Sequence, residues 1–492
     1  MNQLNQQEIL EIGWAWANIT PDQPIYLAGQ LYGRISQYVH DPITATALVM
    51  KTAKAHVVMV SADMVSVPLL VLDKVCARLA DCGGLDVANI SLNVTHTHNS
   101  SLFGPEKRLE KNRKILGDDL MPEESVPGNL LTGEAAAEYL AGKLAAIIRH
   151  AWEHAAPGGI SGAQDYAVVA FNRRPVFADD NLNVTKMYGD CSQASFKRFE
   201  GTSDHTADML YTWDLSGHLT GVVVNIPCPS QVFELHQMIT ADYWAPTRSQ
   251  IREQLGNVHI LPLCGAAGDQ NPLDLIRISK NNQRTLPLWN AQKGEVQRNL
   301  DMGEECRKIG ERITEAVVRG YREARNTINL YPVFRHKVLE MSLPLRQVSE
   351  ADYLEAQAKI DQVKQQHSAG NRLTSDEIVS LFAPIGVVDR YLLQQETTQY
   401  RFKSHVLRIG SAALATNPFE LFCEYGMRIK ARSRAAQTVI VQLANGNGGY
   451  LPTTAALAGG SYSSKPASTL CDPEGGDLLV EQTLDAINSM WD

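Results

Sequence analysis

The sequence predicts an α/β protein with a mixed β-sheet core and flanking helices, folded as a single domain over residues 1–492. Three observations predict it. A strand, a helix and a second strand follow one another between residues 55 and 98, the order of a βαβ unit. A long amphipathic helix follows at 133–155. The remainder alternates β-rich and helix-favouring runs, with no internal repeat and no Pro- or Ser-rich linker. Taken in order, AHVVMVSAD (55–63) reads as a buried strand ending in an acid, Asp63. PLLVLDKVCARLADCGG (68–84) reads as a helix closed by Gly83 and Gly84. NISLNVTHTH (89–98) alternates with period two and reads as a second strand. Residues 99–132 are charged and dotted with Pro and Gly, the pattern of a long loop, and such loops inside a domain are usually functional. Strand-like runs occupy 160–175, 207–228 and 258–269, with WDLSGHL as a hairpin turn. Residues 242–255 and 303–324 are helical in pattern, and about 346–400 forms a polar helical excursion. Strands return at 406–416 and 438–444, then a Gly-rich loop (445–476) and a last helix (477–490).

Composition narrows the function classes. Hydrophobic residues make up 44% and charged residues 20%, the balance of a globular chain. The net charge of -9 offers no basic footprint, so nucleic acid is not an expected partner. No apolar run approaches the roughly 18 residues of a membrane span. The segment MNQLNQQEILEIGWAWANITP has neither the basic nor the apolar region of a signal peptide, which leads us to expect a cytoplasmic protein. The eight cysteines are scattered, without a CxxC pair, and read as small buried hydrophobes rather than a disulfide framework.

Four motifs could carry chemistry. His96-Thr97-His98 closes the second strand, and residues i and i+2 of a strand share a face. Two imidazoles in one space suit a metal or an acid–base pair; two solvated histidines at a strand end are the plainer alternative. GAAGDQNP (265–272) follows the strand VHILPLC and offers Asp269 and Asn271 where α/β sheets bind ligands, or else simply makes a capped turn. In NPFELF (417–422), Glu420 is either a helix N-terminal charge or a carboxylate ligand. In ANGNGGYLPT (444–453), glycines present Tyr450 on a loop, for packing or for function.

In their order along the chain these motifs resemble the catalytic domain of the neutral ceramidases, zinc-dependent amidases of N-acyl sphingoid amides. THTH, Asn172-Arg173-Arg174-Pro175, GD-x-x-P, P-x-E and a late tyrosine all occur, from about Asn18 to Tyr462. The resemblance implies the ceramidase catalytic-domain fold and one Zn2+ ion per chain. It matches His96 to a zinc histidine, Glu420 to the zinc carboxylate and Tyr450 to a zinc-bound tyrosine. His98, Arg173 and Tyr462 match residues that serve the reaction. Tyr462 lies twelve residues beyond Tyr450, in the register of a second, catalytic tyrosine. Three departures stand out. Counting back from Asp242, the second zinc histidine is replaced by Cys228 of NIPCPSQ; thiolate also binds zinc, and Glu234 or His236 are alternatives, as is another divalent metal. Beside Asp269, Asn271 stands where the family has serine, which removes or replaces the chemistry of that hydroxyl. From the sequence we also expect neither the family's C-terminal β-sandwich nor its usual export signal.

The expected function is therefore a metal-dependent hydrolase, cleaving an amide in a small soluble substrate. A metal with an open position activates water and polarises a carbonyl. His98 or a nearby acid would move the proton. Arg173 and Tyr462 would stabilise the oxyanion, at roughly 3 kcal/mol per well-placed donor. Asp63 either orients a site residue or caps a helix. A hydrolase or lyase of an ester, lactone or carbohydrate-derived bond, or a non-catalytic ligand-binding relative, are the alternatives. The segment LFGPEKRLEKNRKILGDDLMPEE (102–124) is dense in charge. As a pocket rim it suits a polar substrate better than ceramide and argues against a membrane partner; it could also be plain solvated surface.

Overall fold

A computed structural model of the chain describes residues 8–122, 126–179, 182–234, 236–285, 300–367 and 372–492. The strand Thr44–Lys51 shows how the core is divided. Ala45, Ala47 and Val49 face one way, into a cluster with the helices Leu69–Leu79 and Gly133–Glu153. Leu48 and Met50 face the other way, into a cluster with Leu407, Leu414 and Val439 of a second sheet. The period of two thus puts helices on one face and a sheet on the other. Each fully buried aliphatic side chain there contributes about 1.5–3 kcal/mol.

The larger sheet has eight strands. In spatial order they are His259–Cys264, Leu219–Ile226, Thr206–Asp214, Ala156–Tyr166, Leu10–Asn18, Thr44–Lys51, His56–Ala62 and Ile90–Val94. The pair at each edge is parallel and the inner pairs are antiparallel. Each parallel pair is joined by a helix, Leu69–Leu79 at one edge and Trp244–Leu255 at the other. The second sheet runs Phe334–Pro344, Gln399–Ile409, Ala412–Thr416, Gln437–Val441. Its last pair is also parallel, with the helix Cys423–Arg432 between the two strands. Helices Trp244–Leu255 and Met302–Ala324 cover the rest of the larger sheet, and Pro473–Asn488 covers the second. The layers run helix, sheet, sheet, helix, the mixed α/β core that the sequence predicts. No helix among the described residues is long and apolar enough to cross a membrane.

Several expectations need correction. The second strand stops at Val94, before the histidines. The segment 99–132 is not all loop. It contains the helix Lys107–Leu116, whose Leu109 and Leu116 pack on Ile360, Ile378 and Ile385 of the excursion. That contact also shows that the excursion (helices Glu350–Gln366, Ser375–Ser380 and Phe382–Glu396) is partly buried rather than merely solvated. Residues 406–416 are two strands, because Gly410 turns the chain at φ +61°. The loop 445–476 holds a short helix, Thr454–Gly459. Residues 1–7 of the N-terminal segment, and 123–124 of the rim segment, lie outside the described residues.

The two sheets also enclose a histidine pair. His336 and His405 stack at 5.2 Å, with Nε2 of the first 3.0 Å from Nδ1 of the second. Burial pushes His336 down to about 4 and His405 down to about 3. Both folded values lie below the ordinary value near 6.5, so the unfolded chain binds these protons more readily. Their contribution is complete above about pH 6.5 and is lost as pH falls toward about 4. Urea midpoints at pH 7 and pH 5 should differ by on the order of 2 kcal/mol, and His405→Asn should reduce that difference. An unchanged pH dependence in the variant would contradict this account.

Candidate functional site

The parallel strands of both sheets deliver their C-terminal ends to one place, as open α/β sheets do. His96 leaves its strand with a φ of +57°, in the left-handed region. The two imidazoles therefore converge because the chain turns, not because a strand pleat aligns them. Their rings meet edge-on at 4.8 Å, with the Nε2 atoms 3.3 Å apart. His96 Nδ1 lies 2.7 Å from the Val65 carbonyl, which only accepts, so Nδ1 carries a hydrogen. Its Nε2 then faces a Glu420 carboxylate oxygen at 3.2 Å. In the neutral ring this sets one lone pair against another, an arrangement that calls for a cation between them, either a proton or a metal ion.

Glu420 and Tyr450 come from the second sheet. The short segments Glu420–Leu421 and Tyr450–Leu451 pair in parallel, with Glu420 opposite Tyr450. Gly268 passes behind, where any Cβ would collide with the Glu420 carbonyl. Burial works to raise the Glu420 carboxyl, but His96, Arg173 and a hydrogen bond with Tyr450 outweigh it and hold the group below its usual range. Burial pushes the Tyr450 phenol well above its ordinary value. Tyr462 stands edge-on to Tyr450 at 5.7 Å, and burial raises its phenol too.

Arg173 ties these groups together. It is 3% exposed. One terminal nitrogen donates to the Tyr188 hydroxyl (3.2 Å) and to Gln231 (3.4 Å). The other donates to the Gly268 carbonyl and to the Tyr450 hydroxyl, both at 2.9 Å. Asp269 and Asn271 lie behind this arginine rather than on the cleft wall. Asp269 accepts from Asn172 (2.8 Å) and from the Cys423 backbone (2.9 Å), and its own carbonyl receives the Arg173 N–H. Asn271 donates to Tyr188 at 3.0 Å. Both are positioning residues in this geometry. Asp63 is a buried partner of Arg248 at 2.7 Å and accepts from Thr95, next to His96.

The cleft has a volume of about 410 Å³ and brings together His96, His98, Arg173, Glu234, Glu420, Tyr450 and Tyr462. Cys228 and His236 do not line it. The Cys228 thiol is 1% exposed and donates to the Val169 carbonyl at 3.1 Å, within the core. His236 is exposed, its ring packed on Phe233. The ungapped count from Asp242 thus leads to a core position, because the chain after Cys228 bends so that Ser230 caps the histidine strand (Ser230 to the Thr95 carbonyl, 2.9 Å). Glu234 is the residue of this segment that reaches the cleft, 4.0 Å from His98. Cys228→Ser should cost about 1 kcal/mol of stability and, in a zinc titration, behave within about twofold of the wild type. Metal analysis and a denaturant midpoint check this. A loss of metal equal to that of His96→Ala would restore the thiol as a ligand.

Sequence reasoning missed Tyr188, Gln231 and Gln30 as cleft residues, whereas Arg108 comes from the charged segment 102–124 read as a rim. Tyr188 reaches the site through a positive φ of 59°, which nothing in its neighbourhood announces. The implied zinc set can be tested against these positions. Among the described residues, no group of three or more His, Cys, Asp or Glu side chains is placed to hold a metal ion. With Cys228 in the core, the Tyr450 phenol, hydrogen-bonded to Glu420, is the third donor that the resemblance offers for a metal between His96 and Glu420. Three protein ligands and one open position are the composition of catalytic zinc sites, and two donors of a tetrahedral ion lie roughly 3.3 Å apart. The 3.2 Å between His96 and Glu420 fits that spacing.

No family model matches the chain, and no curated protein matches its sequence. Solved structures do match. The crystal structure of neutral ceramidase from Pseudomonas aeruginosa aligns with a TM-score of 0.64, over 98% of this chain and 74% of that one, at 17% identity. The fold is that of a neutral ceramidase. A second structure, a ceramidase complexed with C2, aligns with a TM-score of 0.66 over 98% of this chain and 75% of that one, at 15% identity. The ceramidase fold was the one expected from the order of the motifs. At these identities the likeness speaks for the fold, and the chemistry has to be argued from the cleft.

Proposed function

We propose that the protein hydrolyses an amide bond in a small, soluble, polar substrate, with one divalent metal ion, zinc by expectation, as its cofactor. The observation that carries this reading is the convergence of His96, Glu420, Tyr450 and Arg173, from four separate segments, on one cleft of a ceramidase fold. Water is the nucleophile in this reading, and among the described residues no Ser, Thr or Cys lines the cleft to compete with it. His98 stands between His96 and Glu234, where an imidazole can take a proton from water and return it to the leaving amine. Tyr462 is a protonated phenol at the cleft wall, a donor for the developing oxyanion. Arg173 donates to the Tyr450 oxygen and so fixes the direction of its hydroxyl hydrogen. A metal ion, when bound, would be held by His96, Glu420 and Tyr450 and would polarise the carbonyl and acidify water. Eight free thiols support a reducing, cytoplasmic setting for this activity.

The test is a substrate comparison on purified protein, with its metal content measured alongside. Short N-acyl amides, the corresponding esters and lactones, and long-chain ceramide in vesicles are each incubated with the enzyme. Release of free amine from soluble amides is the expected result. Turnover confined to esters or lactones would move the reading to that bond class. Efficient ceramide hydrolysis would restore a lipid substrate.

A further inference from the structure

Resting on the reading of the cleft as an amide hydrolase, we infer that its substrate carries a carboxylate and that Arg108 binds it. The charged groups deeper in the cleft are already matched. Glu420 faces His96 and lies in the field of Arg173. Arg173 spends both terminal nitrogens on four protein acceptors. Glu234 accepts from Gln231 at 2.5 Å.

Arg108 is different. It enters from the helix Lys107–Leu116, its side chain 26% exposed, and lines the same cleft. It donates to the backbone carbonyl of Gln30, which accepts a hydrogen bond but does not neutralise charge. Its nearest acid, Glu106, is 3.4 Å away, longer than the 2.7–2.9 Å of a strong charge-assisted bond. The guanidinium is therefore fixed by a backbone carbonyl and paired only loosely with Glu106, which leaves it donors for a ligand. Its field reaches Tyr462, which ties it to the reacting end of the cleft.

The helix that carries Arg108 is basic. It holds Lys107, Arg108, Lys111, Arg113 and Lys114 against the single acid Glu110, in a chain of net charge -9. Lys111 and Arg113 face acids only at 3.4 Å and 3.5 Å. Of these basic residues Arg108 is the one that lines the cleft among the described residues, so the anion selectivity rests on its guanidinium. The planar fork of an arginine matches a carboxylate in two parallel bonds, which a single ammonium cannot reproduce. Two amide classes present that group: N-acyl amino acids, with the carboxylate on the amine side, and monoamides of dicarboxylic acids, with it on the acyl side.

The test uses the full-length protein and its Arg108→Met variant. Kinetics and calorimetric binding are measured for N-acetyl amino acids, their methyl esters, and succinic acid monoamides, after a melting curve shows that the variant is folded. The wild type should prefer a carboxylate-bearing amide over its methyl ester by roughly tenfold or more, the size of one charge-assisted bond. Arg108→Met should bring that ratio to about 1, through KM rather than kcat. The two carboxylate arms show on which side of the amide the acid lies. If no amide is turned over, carboxylate-dependent binding that disappears in Arg108→Met upholds the anion site while the hydrolase reading falls. Absence of any carboxylate preference in the wild type, or its survival in the variant, overturns the inference.

Discussion

Glu420→Gln is expected to lower turnover on the order of 10³-fold, about 4 kcal/mol of barrier, with the protein still folded. The side chain is isosteric, so the parallel pairing of Glu420–Leu421 with Tyr450–Leu451 survives. The amide keeps an oxygen for the Tyr450 hydroxyl and gains an N–H for the His96 nitrogen. What it loses is the negative charge, which His96 and Arg173 hold in the ionised form against the pull of burial. A proton or metal ion shared between His96 and Glu420 loses its anionic partner, and a neutral pair takes its place. The measurement is kcat on whichever amide is cleaved, with a melting curve as the folding control. Activity within tenfold of wild type would show that Glu420 serves only to pack the strand end.

Arg173→Lys is expected to cost about 3 kcal/mol of stability and about 10²-fold in kcat. The guanidinium reaches the Gly268 carbonyl and Tyr450 on one side, and Tyr188 and Gln231 on the other. An ammonium radiates from one point and cannot span both sets. The unserved acceptors are buried, so their loss is not made good by water. Tyr450 and Tyr188 both lose their fixed orientation, which is why stability and rate should fall together. Denaturant midpoints and steady-state kinetics check this. A stability change under about 1 kcal/mol with kcat within about threefold would mean that the two tyrosines are oriented by other contacts.

Much of the fold was legible because parallel strands joined by helices leave an ordered trace. The strands His56–Ala62 and Ile90–Val94 lie side by side and parallel in the sheet, with the helix between them packed on its face, as their order required. The strand Thr44–Lys51 was harder, since alanine is disfavoured in strands. Ala45 and Ala47 are there because the alanine-rich helix Gly133–Glu153 packs closely over them, a tertiary demand that local propensity does not record. Lys107–Leu116 was hidden for the opposite reason. Its charges dominate the pattern, and its few apolar residues make sense only against the excursion, far along the chain.

The site followed the same division. His96, His98, Glu420 and Tyr450 stand at or just beyond strand ends, so their motifs could be read locally, and the structure brings them into one cleft. Cys228 depended on counting across a segment that bends, and the bend put the thiol in the core. Tyr188 arrives through a left-handed residue, which marks no cleft by itself, while Arg108 belongs to the charged segment read as a rim, though as a helix rather than a loop.

The account is tested most directly by one measurement: the amine released from a soluble carboxylate-bearing acyl amide by equal amounts of folded wild-type and Glu420→Gln protein. The account predicts catalytic release by the wild type and near-complete loss in the variant. Equal release by both, or none from any amide by a correctly folded, metal-supplied wild type, would contradict it.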